Sequence, residues 1–342
     1  MNGSADNIKN LIAIVAEGKS LSEPEAEQAF DIIMSGDATP AQIGAFLMAL
    51  RVRGETVDEI TAAARIMRSK ATTISAPDNA MDVVGTGGDG SGTLNISTGA
   101  AIVVAGCGIP IAKHGNRALS SQAGAADVLT ALGVNIDCDM ALIERSIREA
   151  GIGFMMAPRH HSATRHVAGP RVELATRTVF NILGPLSNPA GVNRLLVGVF
   201  SGQWVEPMAH VLGNLGAEKA WVVHGSDGLD ELTTTGPSSV AALENGKVTT
   251  FEVTPEDAGL PRAKPEDLLG GDGAHNAAAM RDMLSGTPGA YRDIVVFTAA
   301  GALIVADKAS DLKEGAAIAS EAIDSGKALR ALETMARITS GG

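Results

Sequence analysis

Two polar loops one βα unit apart hold the residues best suited to chemistry. The first is Gly85-Thr86-Gly87-Gly88-Asp89, which follows a short apolar strand, Met81 to Val84. An Asn95-Ile96-Ser97-Thr98-Gly99 turn follows, then an alanine-rich helix. The second loop follows another apolar strand, read as Ile109 to Ala112, and carries Lys113, His114, Asn116 and Arg117. Glycines let a backbone approach a ligand closely and aim successive N–H groups into one concavity. Ser97 or Thr98 falls at a helix N-terminus, where free N–H groups and the dipole favour an anion. Lys113 and Arg117 add full positive charge. The set suits a ligand with several phosphates. A lone GTGGD is weak evidence, because glycine loops after strands are commonly tight turns; the second polar loop one βα unit on strengthens it. No Gly-Lys-Ser/Thr follows it, and no acidic residue ends a later strand in the dinucleotide-binding manner.

Two further clusters stand apart. Asp230-Glu231 is an adjacent carboxylate pair in a glycine-flanked loop, a pattern that by spacing alone is more often solvated than functional. Arg159 to Arg177 holds four arginines, three histidines and one glutamate, a basic island in a chain of net charge −12. Arg171 reads as lying near the start of a helix, where a cation opposes the dipole, and that placement points to use on a ligand.

The elements that must position these residues follow from periodicity. Ile8, Leu11, Ile12 and Val15 make one helical face. Three capping boxes come next, Ser22 with Glu25, Thr39 with Gln42 and Thr56 with Glu59, and Pro24 and Pro40 fall in first helical turns. The apolar sets Phe30/Ile33/Met34, Phe46/Leu47/Leu50 and Ile60/Ala64/Met67 complete a four-helix unit ending near Lys70, and Thr72 to Asn79 reads as a linker. From Met81 the texture turns to alternating strands and helices, with strands expected at 81–84, 109–112, 152–156, 194–200 and 220–224. Helices are expected over Ala125 to Leu132 and Met140 to Ala150. This predicts a large α/β domain with a mainly parallel sheet. Pro170 to Leu183 has a helical pattern, Glu244-Asn245-Gly246-Lys247 reads as a hairpin turn, and the chain from about Gly273 is mostly helical.

Composition excludes several classes. The acidic balance argues against a general binder of nucleic acid or anionic membrane. Gly90 to Ala112 is uncharged and long enough to span a bilayer, but its polar residues and glycines argue against that. Ile294 to Ala306 is too short to span and reads as a buried helix. Two cysteines without metal spacing, and no signal peptide, imply a reduced cytoplasmic protein, with Cys107 and Cys138 as buried apolar residues.

GTGGD, NISTGAA, KHGNRALSS and LDELTTTGP occur in this order, and together they resemble the anthranilate phosphoribosyltransferase family from about Leu21 to the C-terminus. The resemblance implies a nucleoside phosphorylase/phosphoribosyltransferase-like fold. Its small helical domain, residues 1–72, is joined by a helical segment near 170–184, and its large domain spans residues 80–342. It implies transfer of a phosphoribosyl group from 5-phosphoribosyl 1-pyrophosphate to the amine of anthranilate, with pyrophosphate released, in tryptophan biosynthesis. The site would lie between the domains, and a homodimer would form through the small one.

The resemblance places the phosphoribosyl donor on Gly85, Gly88, Asp89, Thr93, Asn95, Ile96, Ser97 and Thr98. It adds the run Lys113, His114, Gly115, Asn116, Arg117, Ala118, Leu119, Ser120 and Ser121. It makes Asp230, Glu231 and Ser97 ligands of Mg2+. It assigns the anthranilate carboxylate to Arg171, with Asn116 near the acceptor and Gly85, His114, Ala157, Pro158, His161 and Gly184 lining the slot. No residue is assigned as a general acid or base, because an aryl amine is already neutral at pH 7 and positioning with electrostatics suffices.

The chain departs from the common family pattern in two places. Gln122-Ala123-Gly124-Ala125 replaces Lys-Ser-Gly-Ser, so Ala125 lacks a hydroxyl that often contacts phosphate. His161-Ser162-Ala163-Thr164-Arg165-His166 replaces His-Pro-Ala-Met-Lys-His, which alters the outer acceptor slot. Two other readings are a pyrimidine nucleoside phosphorylase-like enzyme and a non-catalytic nucleic-acid-binding paralogue. KHGNR, Asp230-Glu231 and the acidic balance speak against both.

Overall fold

All three expected capping boxes form at the starts of helices. The computed structural model describes residues 3–117 and 122–342. Helix α1 spans Gly3–Ala16, α2 Glu23–Ser35, α3 Pro40–Arg53 and α4 Val57–Ser69. Before α2, the Ser22 N–H and hydroxyl both donate to Glu25, at 2.9 and 2.6 Å. Thr39 and Gln42 exchange hydrogen bonds of 2.9 and 3.3 Å before α3. Thr56 and Glu59 do the same before α4. Glu59 does more than cap. It is fully buried, and its carboxylate also accepts from the Leu21 N–H (2.9 Å) and from the Arg53 guanidinium. One buried side chain thus ties the α1–α2 loop, the end of α3 and the start of α4, as a buried charge must be paired to be tolerated. The apolar stripes of these helices meet in one core, where the Phe30 and Phe46 rings pack edge to face at 5.5 Å.

The sheet follows. Strand β1 is Met81–Gly85, then come α5 Ile96–Gly106, β2 Ile111–Gly115, α6 Ala125–Ala131, α7 Met140–Glu149 and β3 Ile152–Met156. A single turn, α8 Ala157–His160, precedes α9 Arg165–Leu174, and a second, α10 Leu183–Leu186, precedes β4 Arg194–Gly198. Then come α11 Val205–Asn214, β5 Lys219–Gly225, β6 Ser238–Glu244 and β7 Lys247–Val253. Four helices close the chain: α12 Gly273–Leu284, α13 Ala290–Val305, α14 Leu312–Asp324 and α15 Lys327–Thr339.

The order is β3-β2-β1-β4-β5-β6-β7, parallel through β5 and antiparallel at β6 and β7. Strand side chains alternate between two cores. Val83, Leu196, Trp221 and Val223 face α5 and α13–α15, while Val84, Leu195, Val197 and Val222 face the core shared with the N-terminal helices. The β6–β7 turn is Asn245-Gly246, both left-handed (φ 51° and 71°), as a two-residue hairpin requires.

Two expected elements shift. The second strand runs over 111–115 rather than 109–112, because Pro110 has no N–H to give to a ladder and serves only as acceptor for the Met81 N–H (3.0 Å). Lys113 and His114 are therefore strand residues. The Pro170-to-Leu183 segment is not one helix. Helix α9 begins at Arg165, holds Pro170 in its interior and stops at Ala175, which is left-handed at φ 47°. Pro170 resembles an N-terminal proline in sequence and is not one. Helix α9 packs on α2 and α3, and Phe180 after it reaches the Phe30 ring at 6.3 Å. Both cysteines are unpaired thiols, and burial pushes Cys107 up to about 11. No described helix is long and apolar enough to cross a membrane.

Candidate active site

Strands β1, β2, β4 and β5 all end in glycine at one edge of the sheet: Gly85, Gly115, Gly198 and Gly225. The strand order reverses between β1 and β4, and a crevice opens at the carboxyl ends beside such a switch point. Gly85 pairs with Gly198 there, and the glycine loop leaves directly from Gly85. Asn95 precedes the first turn of α5, which holds Ile96, Ser97 and Thr98, so their N–H groups face the same crevice.

The crevice is a cleft of about 370 Å³. It brings together the glycine loop from Gly85 to Asp89, Thr93, the Asn95-to-Thr98 turn and the run from Lys113 to Arg117. Asp230 and Glu231 lie on its floor, and Ala157, Pro158, His161, Arg171 and Gly184 line the other end. Ala118, Leu119, Ser120 and Ser121 lie outside the described residues.

The carboxylate pair is not a solvated loop. Asp230 and Glu231 are 8% and 7% exposed. Asp230 accepts the Gly87 N–H (2.6 Å) and Glu231 accepts the Ser97 N–H (2.9 Å), which fixes both to the two halves of the anion cradle. Both carboxyls are held well above the usual carboxylate range. Burial is the main cause for each, with the charge of Asp89 next for Asp230 and that of Asp230 next for Glu231. Two buried carboxylates whose charges repel make a site that gains from a hard cation. Among the described residues no group of three or more His, Cys, Asp or Glu side chains is placed to hold a metal ion. A divalent ion here needs its remaining ligands from phosphate oxygens or water, the usual arrangement for magnesium.

Lys113 is not the free cation its loop placement implied. It is buried within β2, and its ammonium donates to the Val83 carbonyl (2.6 Å). Burial lowers its proton affinity, and the attraction of Asp82, then Glu231 and Asp230, works the other way. Asp82, a fully buried acid inside a strand read as apolar, accepts from the His114 N–H (3.2 Å) and from Asn188 (2.8 Å). Burial raises Asp82 to about 6 against the pull of Lys113. Lys113 thus spreads positive charge beneath the carboxylate pair from inside the sheet.

Arg171 also moves. It falls in the last turn of α9, where a cation agrees with the helix dipole, so the argument from misplacement fails. What singles it out is its surroundings. It lies over the Phe180 ring at 5.6 Å and reaches the cleft from the far side. In the same cleft, the His114 and His161 rings meet edge to face at 5.0 Å. Burial lowers His114 to about 3, helped by His161, and lowers His161 to about 4. Both rings are neutral at pH 7. His114 Nδ1 sits 3.1 Å from the Gly184 carbonyl, which can only accept, so this assigns the proton to Nδ1 and leaves Nε2 an acceptor. A guanidinium stacked on Phe180, in a cleft that neutral His114 and His161 also line, suits a flat aromatic carboxylate.

Two other residues of the basic island are held by structural contacts. Arg159 donates to the Cys138 carbonyl (2.6 Å), and His160 meets the Thr72 carbonyl (2.7 Å) and fastens the linker. Asn95 is held at both ends of its amide, donating to the Ala123 carbonyl (3.2 Å) and accepting from Asn276 (2.9 Å).

The chain matches "Glycosyl transferase family, a/b domain" over residues 77–329 and "Glycosyl transferase family, helical bundle domain" over residues 9–71. It is 64% identical over 332 residues to the anthranilate phosphoribosyltransferase of Paramagnetospirillum magneticum, covering 97% of this chain and 96% of the relative. It is 65% identical over 335 residues to that of Rhodospirillum rubrum, covering 98% and 96%. The chain belongs to the anthranilate phosphoribosyltransferase family. Among solved structures, the family member from Thermus thermophilus superposes with a TM-score of 0.91 at 42% identity, covering 97% of this chain and 99% of that one. The Saccharomyces cerevisiae enzyme, in complex with PRPP and Mg, superposes with a TM-score of 0.89 at 29% identity, covering 98% of each chain.

Sequence reasoning missed several residues that line the cleft. Phe180 and Asn181 line it from a 3-10 turn, and Met67 reaches it from α4. Met67 fits its helix's apolar stripe and carries no signal of its own. Thr164, one of the altered positions, also lines the cleft, with its hydroxyl donating to the His161 carbonyl (2.7 Å).

Proposed function

We propose that the cleft transfers the phosphoribosyl group of 5-phosphoribosyl 1-pyrophosphate to the amine of anthranilate, giving N-(5-phosphoribosyl)anthranilate and pyrophosphate. The observation that carries this reading is one cleft with an N–H-rich loop and buried carboxylate pair at one end, and Arg171 stacked on Phe180 at the other. In this reading the N–H groups of Gly88 and Asp89 in the glycine loop and of Ile96 and Thr98 in the first turn of α5 hold the phosphates, since the Gly87 and Ser97 N–H groups are taken by the carboxylate pair. Arg171 orients the acceptor carboxylate, which aims the amine at C1 of the ribose. The aryl amine is neutral at pH 7, so no side chain has to deprotonate it before attack. His114, His161 and Phe180 exclude water that would hydrolyse the donor. Asp230, Glu231 and Ser97 would hold magnesium together with the donor's phosphate oxygens, and the ion would neutralise charge on the departing pyrophosphate. The small helical unit, residues 1–72 with the segment near 170–184, would close on the large unit of residues 80–342 as substrates bind.

A fluorescence assay of anthranilate consumption with the donor and magnesium tests the reading, with EDTA as control. Magnesium-dependent loss of anthranilate with pyrophosphate release is expected. In the same assay, Arg171→Ala is expected to raise the KM for anthranilate roughly ten- to hundred-fold, the worth of a charged hydrogen bond, and to leave the donor KM alone. No anthranilate consumption by folded protein would overturn the assignment.

We also propose a homodimer formed through the small unit. Val52 on α3 and Val172 on α9 are 81% and 80% exposed on helices that touch. Light scattering should give twice the chain mass, and a monomer at micromolar concentration would refute it.

A further inference from the structure

The glycine loop is held from two sides. On the cleft side, Gly87 is bound to Asp230. At the root, the Thr86 N–H donates to the Gly198 carbonyl (2.9 Å), and the Thr86 hydroxyl accepts from the Phe200 N–H (3.1 Å). On the outer side stands Arg177. Its guanidinium lies over the Phe200 ring, 4.2 Å from the centroid, and donates to the Gly88 carbonyl. Its own carbonyl accepts from the guanidinium of Arg51, in the last turn of α3. Arg177 lines a separate cavity of about 570 Å³ with Arg51, Phe200 and Trp204, and does not line the cleft.

This placement has a consequence for the loop's donors. In a trans peptide the C=O and the following N–H point in opposite directions. A Gly88 carbonyl turned outward to Arg177 therefore turns the Asp89 N–H inward, to the cleft. Gly88 is left-handed at φ 78° and carries no side chain to bias its peptide, so an external partner is needed to choose between the two faces. The Asp89 carboxylate accepts from the Ser91 N–H (3.2 Å) and hydroxyl (2.7 Å) and also lies against the Asp230 carboxyl.

We propose that Arg177 is a positioning residue for the phosphoribosyl donor. It fixes the Gly88–Asp89 peptide so that the Asp89 N–H meets a donor phosphate, and through Arg51 it links that orientation to the small helical unit. The proposal rests on the functional reading above, since it takes the donor's phosphates to lie in the glycine loop. Arg177 itself touches neither substrate.

The test uses full-length Arg177→Ala, Arg177→Lys and Arg51→Ala beside the wild type. Steady-state kinetics vary each substrate in turn, calorimetry measures donor binding, and thermal unfolding checks the fold. In Arg177→Ala the donor KM and Kd rise roughly ten- to hundred-fold, the usual effect of losing a supporting partner. The KM for anthranilate stays put. Lysine keeps a donor but loses the planar stack on Phe200, so Arg177→Lys falls between wild type and alanine. Arg51→Ala shows a smaller loss in the same parameter. If the alanine variant does not fold, Arg177→Lys decides by the same donor-specific shift. Unchanged donor binding in a folded Arg177 variant, or losses shared equally by both substrates, overturns the proposal. Failure of the wild type to bind the donor overturns the functional reading instead, and calorimetry on the wild type separates the two cases.

Discussion

Replacing Asp230 and Glu231 together by Asn and Gln is expected to cut turnover by about 10²–10³-fold, the scale of losing a preorganised electrostatic partner, while the protein stays folded. The carboxylates are buried, adjacent and pushed toward the protonated form. Such a pair costs stability in the empty protein, so its removal relieves desolvation and repulsion. The amides keep an acceptor oxygen for the Gly87 and Ser97 N–H groups, so the cradle retains its shape. What the double variant loses is charge, and with it the means of holding a cation on pyrophosphate. The expected signature is a fall in kcat at saturating substrates and magnesium, with a melting temperature at or above that of wild type. Alanine at both positions should lose as much turnover and also loosen the loop. Normal turnover in either double variant would sink the metal assignment.

Gly198→Ala is expected to lose both stability and activity. The carbonyl of Asp230 packs so closely on Gly198 that a Cβ there would overlap it, with the Asp230 Cα only 3.3 Å away. The obstacle is backbone, so no rotamer change relieves it, and overpacking of this kind costs about 3 kcal/mol or more. The relief available is to push the 230 loop off the end of β4. A shift near 1 Å in a positioned group costs about 10²-fold in rate. Gly85→Ala is the informative contrast. Its Cβ would crowd the Asp230 side chain, with Cγ at 3.0 Å, while the Asp230 carbonyl oxygen stands at an ordinary contact distance of 3.4 Å, and a side chain can swing away. Gly85→Ala should therefore lose activity with a smaller loss of stability. Denaturant unfolding and kcat for the two variants check the difference. Equal stability in both would mean that the loop is not braced on β4.

Several features were legible because they are local. Ser22, Thr39 and Thr56 each find a partner three residues on, which a helix start imposes without outside help. The Asn245-Gly246 turn and the glycine loop after β1 were legible for the same reason, since few residues tolerate those backbone angles. Arg171 shows the limit of local reading. Pro170 before it carries a strong helix-start signal, but the helix had already begun at Arg165, held by packing on α2 and α3. Lys113 shows another limit. Three residues of error at the end of a strand, 112 expected and 115 found, turned a buried ammonium into a supposed surface cation.

The sequence by itself determined the family, the helical unit followed by an α/β sheet, and most of the residues that line the cleft. The two-part architecture follows from periodicities of two and 3.6, short motifs carry the family resemblance, and that resemblance in turn names most of the cleft residues. Only the tertiary structure decided which charges are buried and what they touch. Asp230 reaches Gly87 across 143 residues, Arg177 reaches Gly88 across 89, and Arg51 reaches Arg177 across 126. Proton affinities depend on desolvation and on neighbours brought by such long-range packing. That is why a carboxylate pair that looks solvated in sequence becomes a buried, repelling pair when the chain folds.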